Sequence, residues 1–583
     1  MLRDQIKKDL ELALKSLKTG EVEVEVSRTS DSKNGDYSTN VALKVGSGGE
    51  GLGSSKNKKT EQSAMEIAKK ITDSMGSLPY IEKLEVKEPG FINFFIKSDF
   101  WQVEVEKVLK QDKLRLKVTN KKLIVEFTDP NPFKEFHIGH LYSNIVGESI
   151  SRLWESMGAS VKRACYQGDV GMHVAKTIWG IPKILEQTGE TFDEQEKKPL
   201  SARVFFLGQA YSLGSKEFEA SEDIKKEVAD LNKKIFAMDE EIAKMYLTGR
   251  KWSLDYFEEI YKRLGTKFDF YYLESEVGEV GAKIVGEFLE KGVFIKSEGA
   301  IVFPGEKYGL HSRVFINSLG LPTYEAKELG LAPTKYKDFA YDESVIVTGN
   351  EINDYFKVLL AALAQVAPEL AVKTRHISHG MVRMPGGKMS SRLGNVLLGE
   401  WLLDEAKKRV MDQFKVSDEL GEIIGVGAIK YAFLKGNVGQ DLNFTFEEAI
   451  SLEGNSGPYV QYTHARCKSV LARNPDRNGA SQKQETRNKK QDFSDSAGEE
   501  EILLRTLGHF EEAVFDAAGG FAPNVLAGFI FEVSQRFNTF YNNLPILKAG
   551  EKERGRRLFL TCATADLLKK GLWLLGIVAP QKV

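Results

Sequence analysis

The stretch from Lys122 to Asp169 constrains this chain more than any other. It opens with a β-branched strand, KLIVEF, and continues through a loop with two prolines, TDPNPFKEFHIGH. A helical run from Leu141 follows, with Ile145, Leu153, Trp154 and Met157 on its apolar side, and then a second strand, SVKRACYQGD, ending in Gly-Asp. Strand, helix and strand in that order form a βαβ unit, because the helix carries the chain back to the starting end of the sheet and leaves the two strands parallel. Ligands of such sheets sit at the carboxyl ends of the strands. The tetrapeptide HIGH, His137 to His140, therefore stands at a ligand edge, between loop and helix.

Around this unit the pattern predicts a multidomain α/β protein with a Rossmann-like parallel-sheet catalytic domain, an N-terminal α+β domain and a C-terminal α-helical bundle. Residues 1–110 read as a leading helix, a strand in the alternation EVEVEVSR, a helix about AMEIAKKITDSM, and a strand pair in LEVKEPGFINFFIK turned at Pro-Gly. Residues 111–440 hold the βαβ unit and a charged helical insertion at about 180–270. Strand-like SVIVTG and RHISHGMV then resume the sheet before GKMSSRLGN. From 441 to 583 the periodicity is helical, with aromatic faces such as FIFEVSQRFNTFYNN. Two polar tracts, 46–62 and 474–500, read as loops. The first contains Gly46-x-Gly48-x-x-Gly51, the dinucleotide-binding spacing, but a Ser/Lys/Asn-rich run follows it instead of an apolar helix start, so it is set aside.

At 583 residues the chain is too long for one ordinary domain. No run approaches the ~18 apolar residues of a membrane helix. The three cysteines, Cys165, Cys467 and Cys562, are scattered and include no CxxC, which points away from a disulfide framework and toward the cytoplasm. A net charge of −2 does not advertise nucleic acid, yet phosphate affinity depends on local Lys/Arg patches and not on the total.

The two histidines admit several uses. A zinc site needs a further ligand, and none stands nearby in the stretch, so no metal site is expected. A sharper use fits a loop–helix edge. Gly139 lets a nucleotide lie close to the backbone, the helix N-terminus offers unpaired N–H groups, and His137 and His140 donate to phosphate oxygens. Alone, that pattern fits aminoacyl-tRNA synthetases and small adenylyltransferases equally. Lys388-Met389-Ser390-Ser391, about 250 residues downstream, separates them. With HIGH it closely resembles the paired signatures of class I aminoacyl-tRNA synthetases, although Ser391 and Arg392 stand where that class usually has Lys-Ser, so only Lys388 carries over. A glycine-rich loop with one ammonium suits the neutralisation of departing pyrophosphate.

The surroundings of HIGH narrow the class. VEFTDPNPFKEFHIGHL is similar to the corresponding segment of arginyl-tRNA synthetases, with a Glu, a Pro-Asn pair and a Lys before HIGH at matching intervals. GDYSTNVALKV and EPGFINFFI resemble that family's N-terminal tRNA-contacting domain. SLEGNSGPYVQYTHARCKSVL, FNTFYNN and LLKKGLWLLGIVAP resemble its helical anticodon-binding domain. The resemblance implies ATP as substrate with Mg²⁺, L-arginine and tRNA(Arg) as partners, a monomer, and transfer to the 2′-hydroxyl of the tRNA's terminal ribose. It maps Glu126, Asn131, Tyr324, Glu328 and Glu351 onto arginine-contacting positions. His137, Gly139, His140, Lys388, Met389 and Ser390 fall on ATP, with Lys134 beside Lys388 as a catalytic cation. Glu328 replaces the family's Asp. In YQGDVGMH, Val170 and His173 replace Trp and Gln of the family's Gly-Asp-Trp-Gly-x-Gln. A lysine or glutamine ligase of the same class, and a non-catalytic tRNA-binding relative, are the alternatives.

Overall fold

The computed structural model describes the chain except residues 30, 47–57, 112, 113, 117, 385–396, 475–490, 494, 497 and 583. Most of the two polar tracts, including Gly48 and Gly51, lies outside the described residues.

Five parallel strands form the central sheet: β1 (Lys122–Phe127), β2 (Ser160–Gln167), β3 (Phe270–Leu273), β4 (Glu343–Gly349) and β5 (Thr374–His379). Their order is β5-β4-β1-β2-β3. The chain builds outward from β1 to β3, then crosses to the far side of β1 for β4 and β5. The order thus reverses between β1 and β4, and a ligand crevice opens at such a reversal. Along β1 the side chains alternate. Leu123, Val125 and Phe127 join the large core that includes helix α1 (Ile138–Ser156), whereas Ile124 packs with Tyr272, Val277, Leu331 and Tyr341 on the opposite face. Gly147 of α1 lies so close that a Cβ would come within 2.2 Å of the Phe127 ring. Ser143 Oγ closes the floor of the crevice, accepting from Thr128 N at 3.1 Å and donating to Val347 O at 2.6 Å.

The insertion between β2 and β3 is helical as expected, and it includes α2 (Met172–Thr188) and α3 (Glu240–Leu264) around a core of its own. Two features differ from the sequence reading. Strand β3 closes the 180–270 region. A three-stranded antiparallel sheet (Ile295–Ser297, Ala300–Phe303, Arg313–Ile316) then separates helix α4 (Glu274–Glu290) from helix α5 (Tyr324–Asp338). Helices α4 and α5 meet backbone to backbone, since a Cβ on Gly281 would lie 1.8 Å from Ala326 O and one on Gly330 would lie 2.3 Å from Val277 O.

In the N-terminal unit, helices Leu2–Ser16 and Lys58–Met75 accompany a four-stranded antiparallel sheet. Only Ser27–Arg28 of EVEVEVSR joins that sheet, as a short edge strand. The alternation still buries Val24, at 3% exposure, but among the described residues no neighbouring strand meets residues 21–26. The unit docks on the helical bundle. Arg3 grips Asp516 at 2.6 and 2.8 Å, Arg28 grips Glu532 at 3.0 Å twice, and Trp101 packs on His509 with ring centroids 4.5 Å apart.

The bundle ends on the catalytic domain. Ser149 Oγ of α1 donates to Leu574 O at 3.1 Å and an Arg152 guanidinium N–H to Trp573 O at 2.8 Å, so α1 caps the last helix, Glu551–Leu574. Among the described residues no helix is long and apolar enough to cross a membrane.

Candidate functional site

His137 is the N-cap of α1, with extended backbone. Its Nδ1 accepts from Gly139 N at 3.1 Å, and its own N–H donates to His140 Nδ1 at 3.3 Å. The two rings stack with centroids 3.5 Å apart. Because each Nδ1 is an acceptor, the single proton of each neutral ring sits on Nε2. Burial first, and then the charge of Lys134, hold His137 down to about 4. Burial, His137 and Lys134 lower His140 in the same direction. Both imidazoles are therefore neutral near pH 7, each with a fixed Nε2–H to donate. A Cβ on Gly139 would stand 3.1 Å from the His137 ring, which is why a glycine separates them.

This pattern extends to other histidines and predicts an acid sensitivity. Burial, the leading cause in every case, holds His137, His376 and His464 to about 4 and His173 to about 3. Folded-state values below the ordinary 6.5 mean that the unfolded chain takes up protons first. Their contribution is complete above pH 6.5 and is lost as pH falls toward 4. Each group should add about 1 kcal/mol per pH unit to the slope of stability between pH 6 and 5. Urea melts at pH 7, 6 and 5 measure it, and a flat profile across that window would contradict these burials.

Lys134 lies with its ammonium 5.2 Å from the Tyr211 ring centre, close enough to influence His137, His140 and His173. Lys388, Met389 and Ser390 fall outside the described residues. Just after residue 396, Ile138 N donates to Leu397 O at 2.9 Å and Gly399 N to Phe136 O at 2.8 Å, stitching 397–399 to the HIGH turn. Ahead of residue 385, Val382–Arg383 pairs with Leu442–Asn443.

A buried charge cluster stands at the carboxyl ends of β1 to β3. Glu126, 1% exposed, accepts from Lys335 Nζ through Oε2 at 2.6 Å, while its Oε1 is buried with no hydrogen-bond partner among the described residues. On α5, Tyr324, Lys327, Glu328, Leu331 and Lys335 fall at helical spacing along one stripe. Burial first, and then Glu126, push the half-buried Glu328 carboxyl well above the usual carboxylate range. Asp129 is raised by the same two causes, and its Oδ1 accepts from Tyr166 N at 2.8 Å. Lys327 pairs with Glu274, the first residue of α4, and its ammonium lies 4.4 Å from the half-exposed Tyr324 ring centre. Asn131 meets the same corner: a Cβ on Gly168 would stand 2.2 Å from Asn131 Oδ1 and 3.3 Å from Glu274 Oε1. Asn131 and Tyr324 thus stand at the Glu274–Lys327 pair, and Glu126 acts on Glu328, which Glu274 also reaches. Glu351 stands apart, exposed on the turn after β4 with its charge reaching His379.

The sequence reading missed Lys327, Lys335 and Glu274, and it assigned no role to Asp169. Fully buried, Asp169 accepts from Tyr246 OH at 2.9 Å, Arg250 at 2.7 Å, and Ser275 N and Oγ at 2.9 and 2.7 Å. It ties the 168–173 loop to α3 and to the start of α4. Val170 enters the insertion core, and His173 Nε2 bonds Gly168 O at 2.8 Å, so both departures from the family's loop have structural partners.

A neutral His-x-Gly-His turn at the reversal of a parallel sheet, followed in sequence by Lys388-Met389-Ser390-Ser391, is the architecture of a class I aminoacyl-tRNA synthetase. Comparison with known proteins carries the assignment further. Residues 104–446 match the tRNA synthetases class I (R) catalytic domain, residues 2–96 the arginyl tRNA synthetase N terminal domain, and residues 460–583 the DALR anticodon binding domain. The chain belongs to the arginyl-tRNA synthetase family. An arginine–tRNA ligase of Fusobacterium nucleatum subsp. nucleatum is 30% identical over 96% of this chain and 95% of its own. One from Porphyromonas gingivalis is 28% identical over 90% and 91%. The arginyl-tRNA synthetase of Thermus thermophilus superposes over 100% of both chains with a TM-score of 0.79 at 24% identity, a likeness of fold.

Proposed function

We propose that this chain is an arginine–tRNA ligase, activating L-arginine with ATP and transferring it to the 3′-terminal adenosine of tRNA(Arg). The observation that carries the substrate reading is Glu126. A buried carboxylate oxygen without a partner is costly unless a ligand donor meets it, and Glu328 stands beside it to supply a second acceptor. Two acceptors suit a planar, multi-donor guanidinium. Tyr324 and Asn131 line the same corner, and Glu351 contacts the substrate from the β4 side.

In the first step an oxygen of the arginine carboxylate bonds to the α-phosphorus of ATP. The bond from that phosphorus to the bridging oxygen breaks, and pyrophosphate leaves with the electron pair. His137 and His140 donate Nε2–H to the phosphates, and Gly139 admits the nucleotide to the backbone at the α1 N-terminus. Lys388 and Lys134 offset charge on the departing pyrophosphate, with Met389 and Ser390 against the nucleotide. In the second step the 2′-hydroxyl of the terminal ribose attacks the arginyl carbonyl, and AMP leaves as the hydroxyl proton passes to its phosphate. The work is positioning and charge stabilisation, with no covalent enzyme intermediate.

Mg²⁺ belongs to this reading as a partner of the ATP phosphates. Among the described residues no three of His, Cys, Asp and Glu are grouped to hold a metal, and the ion would be held through the phosphates of ATP. A cytoplasmic setting suits a chain with three scattered cysteines and no CxxC. Action as a monomer belongs to the same reading. The test is aminoacylation with each amino acid in turn, with purified tRNA present. Arginine alone should be charged, and charging of lysine or glutamine in its place would overturn the reading.

A further inference from the structure

The mechanism above leaves Lys335 without a task, although it is among the most deeply buried cations in the catalytic domain, at 2% exposure. It enters the pocket from α5, two turns beyond Glu328 on the same stripe, and its Nζ meets Glu126 Oε2 at 2.6 Å. Its helix is fixed in place, because α5 lies against α4 with no room for a Cβ at Gly330. The consequence falls on Glu126. With one oxygen held, the carboxylate cannot rotate to exchange its two oxygens, and Oε1 is left as a single fixed acceptor.

We propose that Lys335 is a specificity-determining positioning residue: it holds Glu126 with Oε1 presented to the substrate, and its own ammonium bars a second point ammonium from that carboxylate. The proposal rests on the reading of Glu126 as an arginine contact. A guanidinium spreads its charge over a plane and brings a fork of donors, so it meets Oε1 and Glu328 together. A substrate lysine would bring a compact ammonium toward a carboxylate that an ammonium already occupies, and would leave acceptors unmet.

The local charge balance favours a cationic substrate. Among the described residues, Glu126 on β1, Asp129 on the following loop, Glu274 on α4 and Glu328 on α5 face Lys327 and Lys335, with Tyr341 beside Lys335 and the Arg250-paired Asp169 reaching Glu274. Carboxylates outnumber the lysines facing them. Arginine brings a guanidinium and an α-ammonium against one α-carboxylate, a net charge that lysine shares, so the choice between the two falls to the shape of the cation. Without those cations, Asp129 and Glu328 lean toward their protonated forms, raised by burial and by Glu126.

The test is a mutant cycle of Lys335→Met, Glu126→Gln and the double variant. Aminoacylation is measured with arginine and with lysine at saturating tRNA, and thermal melts check folding. Lys335→Met should raise the KM for arginine at least about tenfold, with kcat within about threefold and the KM for ATP unchanged. The arginine-to-lysine ratio of kcat/KM should fall by roughly tenfold or more. The double variant should be no worse with arginine than Glu126→Gln alone, because Lys335 acts through Glu126. A Lys335→Met enzyme with the parent's KM and ratio, or losses that multiply in the double variant, would overturn the proposal. Should Lys335→Met not fold, Lys335→Gln, which keeps a donor without the charge, enters the same cycle. Glu126→Gln with an unchanged KM for arginine would instead dispose of the pocket assignment itself.

Discussion

Replacing Glu126 by Gln is expected to lower kcat/KM for arginine by roughly 30- to 1000-fold, with the KM for ATP within about twofold, in aminoacylation assays with purified tRNA present. The substitution keeps the size of the side chain and removes the charge. Whichever way the amide is turned, it cannot serve both neighbours. With its NH₂ toward Lys335 two donors collide, and with its NH₂ toward the ligand the guanidinium loses its acceptor. A charge-assisted bond lost in a buried site is worth about 2–4 kcal/mol, and each 1.4 kcal/mol is tenfold in rate. The variant also leaves the Lys335 ammonium buried without its carboxylate, so thermal melts must accompany the kinetics, since breaking such a pair costs about 3–5 kcal/mol of stability. Lysine should remain a poor substrate of both proteins. Glu328→Asp, which restores the family's usual residue, should be milder than Glu328→Ala. If Glu126→Gln charges arginine as well as the parent does, the pocket lies elsewhere and Oε1 needs another explanation.

What the sequence made legible follows from the range over which each signal acts. The βαβ unit was readable because a β-branched strand and an apolar helical stripe are local periodicities, and the turn between them, with HIGH at its end, sits where that unit must place it. Strand β3 was not readable. It is four residues long, FYYL, against the sheet edge, and its aromatic residues follow no alternation. EVEVEVSR shows the opposite failure. Its alternation is real and buries Val24, but a ladder also needs a neighbour, and that lies in the tertiary structure. The pocket divides in the same way. Glu126, Asn131, Tyr324 and Glu328 lie in motifs, so resemblance singled them out as candidates. Lys335 is 209 residues from Glu126, and Lys327 is 53 from Glu274, so neither pairing leaves a local trace. The spacing of Tyr324, Glu328 and Lys335 on one helical face was the available clue. A lysine on the apolar side of a predicted helix, beside Leu331, invites the question of which carboxylate meets it.

Lys388→Ala should slow adenylate formation by about 2–4 kcal/mol in barrier, the scale of one lost oxyanion donor, with little change in the affinity for ATP. The distinction follows from where charge changes. In bound ATP the terminal phosphates already carry their charge, and in the proposed site the neutral His137 and His140 and the α1 N-terminus would meet them as uncharged donors. As the bond to the α-phosphorus breaks, the bridging oxygen gains charge that neutral donors offset only in part, and an ammonium is then worth more than in the ground state. Lys134 has a different proposed task. Held above Tyr211 and close enough to depress both HIGH histidines, it is expected to offset phosphate charge before and after the bond breaks. Lys134→Ala should therefore raise the KM for ATP more than it lowers kcat, the reverse of Lys388→Ala. It should also let the His137 value rise from about 4, which ring-proton NMR would register. The measurements are pyrophosphate exchange and single-turnover adenylate formation with tRNA present, on both single variants and the double. The double variant should show both defects together, because the two cations act on different stages. An unchanged turnover in the double variant would remove both lysines from the chemistry and leave the phosphates to the neutral imidazoles and the helix N-terminus.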